Sequence, residues 1–251
     1  LDPKIRTGAQ APVEYRDLYP LEGPRYTTIR RKRYASGTPF AEATESLTRE
    51  ARIQEYRASI TCMDESIGKI LAFLDQHDLA RDTIVIFFSD NGGGGSADNS
   101  PLRGGKGDMW EGGIRVPCIV RWPGQVAAGA ESTAIFSTLD FMPTFANLAG
   151  FKVPNDRVID GVDQTDLLLG KNPRGNRETF VYRNNGIRRG KWKYLKAKHN
   201  VYGYARDTKR KEVEELYDLE ADIGETKNLA EKHPEIVSKL KQMMVEIMEV
   251  K

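Results

Sequence analysis

Apolar positions change their period twice along the chain. Between Thr44 and His77 they recur every three or four residues, at Tyr56, Ile60, Met63, Ile67, Ile70, Leu71 and Leu74, which predicts one amphipathic helix. A turn over Asp78 to Asp82 follows. Thr83 to Phe88 is then an unbroken apolar, β-rich run, the pattern of a strand buried on both faces. A second apolar run, Ile114 to Trp122, returns the chain to the core. Thr133 to Ser137 predicts a short strand. Asp140 is placed as the N-cap of a helix with Phe141, Met142, Phe145, Leu148 and Ala149 on its apolar face, Pro143 in its first turn and Gly150 past its end. Gly161 to Gly170 reads as a turn with a short helical piece.

Three short strands are expected next, at Thr179 to Arg183, Ile187 to Lys196 and Glu214 to Leu219. The first two are joined at Asn184-Asn185-Gly186, a hairpin signal. Pro234 to Val250 closes the chain as a helix with Ile236, Val237, Leu240, Met243, Met244 and Ile247 on one side. Residues 1 to about 42 hold no sustained period, are broken by Pro3, Pro12, Pro20, Pro24 and Pro39, and read as an irregular loop.

A long amphipathic helix that feeds a buried strand is half of an α/β unit. The polar stretch Lys171 to Arg177, with Pro and Gly, marks a boundary. The expected architecture is therefore α/β over 1–170, part of a large mixed sheet sandwiched by helices. A small α+β subdomain over 171–251 follows, with an antiparallel sheet and a terminal helix.

Composition narrows the partners. The chain has 251 residues, 39% of them hydrophobic, and a net charge of +2, which makes no case for nucleic acid. No apolar run approaches the roughly 20 residues that cross a bilayer, so no membrane span is expected. The basic run Arg30-Arg31-Lys32-Arg33 reads as a solvated loop, and the ten Lys/Arg between Arg188 and Lys211 as a solvated sheet face. Cys62 and Cys118 fall in a helical and a strand pattern and read as buried small hydrophobes, not a disulfide. The start, LDPKIRTGAQ, has neither a Met nor the features of a signal peptide. It is read as that of a processed chain, an engineered chain or a fragment whose targeting information lies upstream, which leaves the compartment open.

The chemistry concentrates where the central strand ends. Asp90 and Asn91 present a carboxylate and a carboxamide side by side, followed by four glycines. In open α/β sheets ligands bind outside the carboxyl ends of strands. Oxygen donors suit Ca²⁺ or Mg²⁺, although Asp-Asn-Gly is also ordinary turn chemistry. Arg103 and Lys106 follow on LRGGKG, a loop with little side-chain bulk. Its spacing is not that of a phosphate-binding P-loop, and G-x-S-x-G is absent. His77, His199 and His233 all lie far from it in sequence. The pattern is one for a hard cation plus an oxyanion.

SDNGG followed by NSPLRGGKGDMWEGGIRVPCIVRWPG resembles the sulfatase family, arylsulfatase-type, of the alkaline-phosphatase superfamily. The helix and strand ahead of it, TLDFMPTFANLAG, and LYDLEADIGETKNLAEKHPE resemble further motifs of that family in the same order, from about Arg52 to the end. The resemblance implies that Asp90 and Asn91 ligate a divalent cation, usually calcium with magnesium as the alternative. It implies that Lys106 contacts the sulfate ester, and that Arg103 and Glu111 hold the loop. It also implies a formylglycine nucleophile made in a C/S-x-P/A-x-R signature, which neither cysteine nor any serine of this sequence satisfies. The family's paired N-terminal aspartates and further sulfate-binding residues are missing too. This chain therefore resembles the C-terminal half of a sulfatase acting on an aryl or carbohydrate sulfate. It is expected to be inactive without an N-terminal half, whether that is further residues or a companion chain. Two alternatives stand beside it: an inactive homologue that binds sulfated glycans, and a phosphonate or phosphate monoester hydrolase. The resemblance suggests a periplasmic, secreted or lysosomal location.

Overall fold

The computed structural model describes residues 11–29, 44–199 and 213–249. The basic run Arg30 to Arg33 lies outside them, as does the end of the basic stretch that reaches Lys211. The chain divides into two compact units, Leu1–Ala80 with Gly94–Asp98, and Arg81–Gly93 with Asn99–Lys251.

In the first unit, helix α1 (Val13–Arg16) precedes strands β1 (Tyr26–Ile29) and β2 (Thr44–Leu47), paired antiparallel. The start of the chain, expected to be irregular, thus contains a helical turn and a strand whose partner lies 15 or more residues away, a pairing without a local signal. Helix α2 (Arg49–Gln76) begins one residue after Thr48, whose hydroxyl accepts from the Ala51 amide at 3.2 Å. It ends in a Schellman motif: Asp78 takes φ +57°, and Leu79 N donates to Leu74 O at 2.9 Å. Its predicted stripe is not covered within the unit. Ile60, Met63 and Ile70 are exposed, and the buried positions are Ala51, Glu55 and Ala58. Glu55 gathers this end of the unit, accepting from Ala11 N at 2.8 Å and from Arg16 and Arg25.

In the second unit, β3 (Val85–Phe88) runs into the glycine-rich loop, helix α3 (Glu111–Ile114) closes that loop, and β4 (Cys118–Arg121) returns antiparallel to β3. The expectation of a strand buried on both faces fails. Phe88 is 40% and Ile119 62% exposed, because only two strands pair here and neither face is fully covered. Cys118 is exposed and Cys62 half-buried, both free thiols, so the expectation that they are buried fails.

Thr133 to Ser137 forms no strand. A 3₁₀ turn at Thr138–Asp140 leads into α4 (Phe141–Leu148). Ser137 caps the 3₁₀ turn; Asp140 holds the N-cap position of α4, as expected, but its carboxylate makes no cap bond there and is committed to Ser137 N, Val162 N and the Arg177 guanidinium. Gly150, φ +74°, ends the helix as predicted. After α5 (Thr165–Leu168), strands β5 (Thr179–Val181), β6 (Gly186–Arg189), β7 (Trp192–Leu195) and β8 (Glu215–Asp218) form an antiparallel meander. The single strand expected over Ile187 to Lys196 is two. Gly190 takes φ +55° at the first central position of a two-residue turn, where a side chain would be strained. Helix α6 (Pro234–Glu249) follows.

Period-two alternation gives the sheet two different faces. Ile187, Tyr194 and Leu216 point to α6 and are buried with its Val237, Leu240 and Met244. Each such side chain contributes about 1.5–3 kcal/mol on burial. Leu195, Tyr217 and Leu219 point the other way and are buried with Trp110 of the glycine-rich segment. The sheet is thus sandwiched between its terminal helix and the loop that follows β3.

Candidate active site

Asp90 and Asn91 leave β3 one and two residues after Ser89, whose hydroxyl donates to the Asn91 carbonyl at 2.9 Å. The following backbone is stitched to the far side of the loop. Gly92 N donates to Gly113 O at 2.9 Å, and Lys106 N donates to Gly93 O at 3.0 Å. Asn99 bridges the two arms: its Oδ1 accepts from Gly93 N at 3.0 Å, and its Nδ2 donates to Gly93 O and Gly104 O at 2.8 and 3.1 Å. The glycines are needed for the close approach. A Cβ on Gly113 would stand 2.2 Å from the Asp108 carbonyl oxygen and 2.6 Å from that of Gly105. The backbone therefore carries Lys106 next to the segment bearing Asp90 and Asn91, although 15 residues separate the lysine from Asn91 in sequence.

The three predicted residues differ from their surroundings in one respect. Asp90 and Lys106 are exposed and Asn91 is half-buried, and none of the three side chains has a hydrogen-bond or ion-pair partner among the described residues. Their neighbours are committed. Asp108 accepts from Gly105 N at 3.0 Å. Arg103 donates to the Tyr217 hydroxyl at 2.9 Å and to Glu225 O at 3.0 Å, and lies 3.7 Å from the centre of the Trp110 ring. No group of three or more His, Cys, Asp or Glu stands together as a metal site among the described residues.

Beneath the loop lies a buried charge cluster that the sequence pattern did not predict. Lys193 on β7, fully buried, places Nζ 2.9 Å from Glu111 Oε1 and 2.8 Å from Glu225 Oε1. The second oxygen of Glu111 meets Arg115 at 2.6 Å, and that of Glu225 accepts from the Glu111 amide at 2.6 Å. Burial raises the Glu111 carboxyl, but Lys193 and Arg115 outweigh it and hold the group below the usual glutamate range. For Glu225 burial wins over Lys193 and the carboxyl is raised. Glu215 accepts from Trp110 Nε1 at 2.8 Å and Tyr217 at 2.9 Å, with His199 at 3.4 Å. Burial pushes this carboxyl up, yet the hydrogen bonds from His199 and Trp110 bring it down to about 2. Lys193 belongs to a stretch expected to be a solvated sheet face. Its one local signal is its place between Trp192 and Tyr194 in a strand, and nothing local names its partners.

Arg103 and Glu111 thus hold the loop, as their resemblance implies, and they do so through the C-terminal sheet. The carboxylate of Asp90, the carboxamide of Asn91 and the ammonium of Lys106 are left without such partners among the described residues.

The family model described as Sulfatase matches residues 13–151, and that described as N-sulphoglucosamine sulphohydrolase, C-terminal, matches residues 105–250. The steryl-sulfatase of Mus musculus is 43% identical over 55% of this chain and 24% of its own length. The N-acetylgalactosamine-6-O-sulfatase of Bacteroides thetaiotaomicron is 34% identical over 72% of this chain and 39% of its own. Among solved structures, one from the Bacteroides thetaiotaomicron locus for metabolism of multiple glycosaminoglycans superposes with TM-score 0.68 at 32% identity, over 77% of this chain and 44% of that one. Ps i-CgsB in complex with k-i-k-neocarrahexaose gives TM-score 0.71 at 25% identity, over 96% and 47%. The chain spans about a quarter of the first curated relatives and less than half of the matched structures. The neighbours share the α/β, alkaline-phosphatase-like architecture expected from the sequence. On these matches, the chain belongs to the sulfatase family.

Proposed function

We propose that the protein containing this chain is a sulfuric ester hydrolase, and that the glycine-rich loop is one wall of its active site. The observation that carries this reading is the uncommitted trio, Asp90, Asn91 and Lys106, on a loop where Asn99, Arg103 and Asp108 are tied down. A fold that spends internal partners on Arg103, Asp108 and Asn99 leaves these three available for ligands. Lys106 binds the sulfate group, its ammonium opposing negative charge that builds on sulfate oxygens as the S–O bond breaks. Asp90 and Asn91 hold a divalent cation.

The donor set fits that role. Both residues supply hard oxygens, as Ca²⁺ requires and Mg²⁺ accepts. Calcium takes about six to eight oxygen ligands, so two residues give only part of its shell. When bound, the cation supplies Lewis-acid polarisation of a sulfate oxygen. The nucleophile is a formylglycine borne on an N-terminal half, in the same polypeptide or a companion chain. The absence of a C/S-x-P/A-x-R signature and the partial coverage of the steryl-sulfatase and N-acetylgalactosamine-6-O-sulfatase relatives support this. Residues 171–251, with all four strands of the meander and α6, act as the C-terminal subdomain. A carbohydrate sulfate is the favoured substrate class, because the N-acetylgalactosamine-6-O-sulfatase match extends over more of this chain than the steryl-sulfatase match.

The test is hydrolysis of 4-nitrophenyl sulfate and of a 6-sulfated N-acetylgalactosamine by the complete protein. Asp90→Ala and Lys106→Ala should each lower kcat/KM by about 10²-fold or more. Chelation should abolish activity and Ca²⁺ restore it. Full activity in Asp90→Ala would remove the metal assignment. Turnover of 4-nitrophenyl phosphate with none of the sulfate would move the reaction to phosphate esters.

A further inference from the structure

The Lys193 cluster needs an explanation that stability does not provide. Taking a lysine and two carboxylates out of water costs several kcal/mol per ion, and well-packed apolar residues in their place are often as stable or more so. What such a cluster supplies is registry, because each charge accepts only a partner of opposite sign at one place. Lys193 meets Glu111 and Glu225 at 2.9 and 2.8 Å, and the Glu111 amide donates to Glu225. Both ends of the Lys106 loop are thereby fastened to the C-terminal sheet and the turn after it. Arg103, three residues before Lys106, bonds to Tyr217 and the Glu225 carbonyl; Glu111, five residues after it, bonds to Lys193 and Glu225. Between these fixed points, Gly104, Gly105 and Gly107 contribute no side chain that could hold the loop in place.

We infer that Lys193 is a positioning residue for Lys106: through Glu111 and Glu225 it fixes where the loop presents the sulfate-binding ammonium. The inference rests on the reading of Lys106 as a sulfate ligand. Asp90 and Asn91 are carried by β3 and not by this clamp, so Lys193 governs the anion side of the site and not the cation side. Loss of the clamp leaves the Lys106 amide on Gly93 O but loosens the Glu111 end of the loop, and with it the direction in which the Lys106 ammonium is presented.

The experiment uses the complete enzyme with the paired substitution Lys193→Met and Glu225→Gln, which removes one charge of each sign and leaves Glu111 paired with Arg115. Inhibition by inorganic sulfate should weaken, its Ki rising about tenfold or more. The Michaelis constant for the nitrophenyl sulfate ester should rise to a similar degree, with the Ca²⁺ dependence of activity unchanged. A merely structural role would lower the fraction of active molecules, and so the apparent kcat, without moving either constant. Unchanged Ki and KM overturn the inference. If the paired variant does not fold, Lys193→Arg serves instead. It keeps the charge but replaces the compact ammonium by a planar fork, and should raise Ki several-fold; an unchanged Ki there overturns the inference equally. A wild-type enzyme that hydrolyses no sulfate ester defeats the functional reading, and calorimetric binding of inorganic sulfate to wild type and variant still tests the clamp. No sulfate binding by the wild type defeats both.

Discussion

Gly92 and Gly112 meet backbone to backbone: a Cβ built on Gly92 would lie 1.8 Å from the Gly112 carbonyl oxygen and 2.8 Å from Gly113 Cα. No side-chain rotation can relieve such an overlap, since both neighbours are main chain. The strand end that bears Asp90 and Asn91 can therefore approach α3 only if position 92 has no side chain.

Gly92→Ala should separate the two arms of the loop by breaking the bond from its amide to Gly113 O. Overpacking of this kind costs about 1–3 kcal/mol. A shift of about 1 Å in catalytic geometry can cost on the order of 10²-fold in rate. Thermal melts and kcat/KM measured on the complete protein check both. An alanine variant with unchanged kcat/KM would show that the close approach does not set the site.

Arg103→Lys should be far from conservative. The guanidinium donates to Tyr217 and to the Glu225 carbonyl while lying over Trp110, three contacts that one ammonium cannot reproduce. Hydrogen bonds to charged groups are worth about 1.5–3 kcal/mol each. We expect a loss of about 2–3 kcal/mol in denaturant unfolding, together with weaker inorganic-sulfate inhibition. A variant within about 0.5 kcal/mol of wild type would count against the anchor.

Glu215 sets an acid limit on stability. Its carboxyl is ordinarily near 4.5 and is brought to about 2 in the folded chain, so the unfolded chain binds the proton more tightly across that interval. The stabilisation is complete above pH 4.5 and drains away as the pH falls through about 2. For one proton the slope reaches about 1.4 kcal/mol per pH unit. Unfolding free energies between about pH 2 and 5 should therefore rise more steeply with pH for the wild type than for Glu215→Gln. Parallel curves would refute the assignment. Glu225 works in the opposite sense: burial raises its carboxyl, so its contribution declines as the pH climbs above 4.5.

The sequence made some of this legible, and the reasons differ by residue. Pro234 and the spacing of Val237, Leu240 and Met244 located α6 to within a residue, because the helix needs only its own period and its starting proline. Asp90, Asn91 and Lys106 stand out as candidates because glycines follow the first two and flank the third. Asp140 holds the N-cap position expected of it, but its carboxylate makes no cap bond to α4, because Arg177, 37 residues later, claims it. Lys193 is hidden for the same reason. An alternating strand pattern shows that a residue faces away from α6, and cannot show that Glu111 and Glu225 lie on that other side. Local periodicity reports local structure, while the Lys193–Glu111 pair that fastens the loop links residues 82 positions apart.

That separation also sets an order of events during synthesis. The Lys106 loop leaves the ribosome well before the residues that fasten it, since Glu225 follows Arg103 by 122 residues. At about 5–20 residues per second the wait is roughly 6–24 s. For that interval Arg103 and Glu111 are charges without their C-terminal partners, on a glycine-rich segment with no sheet to grip. The Asp90–Asn91 end of β3 can fold against β4 early, whereas the two ends of the Lys106 loop are fastened only when the last quarter of the chain arrives.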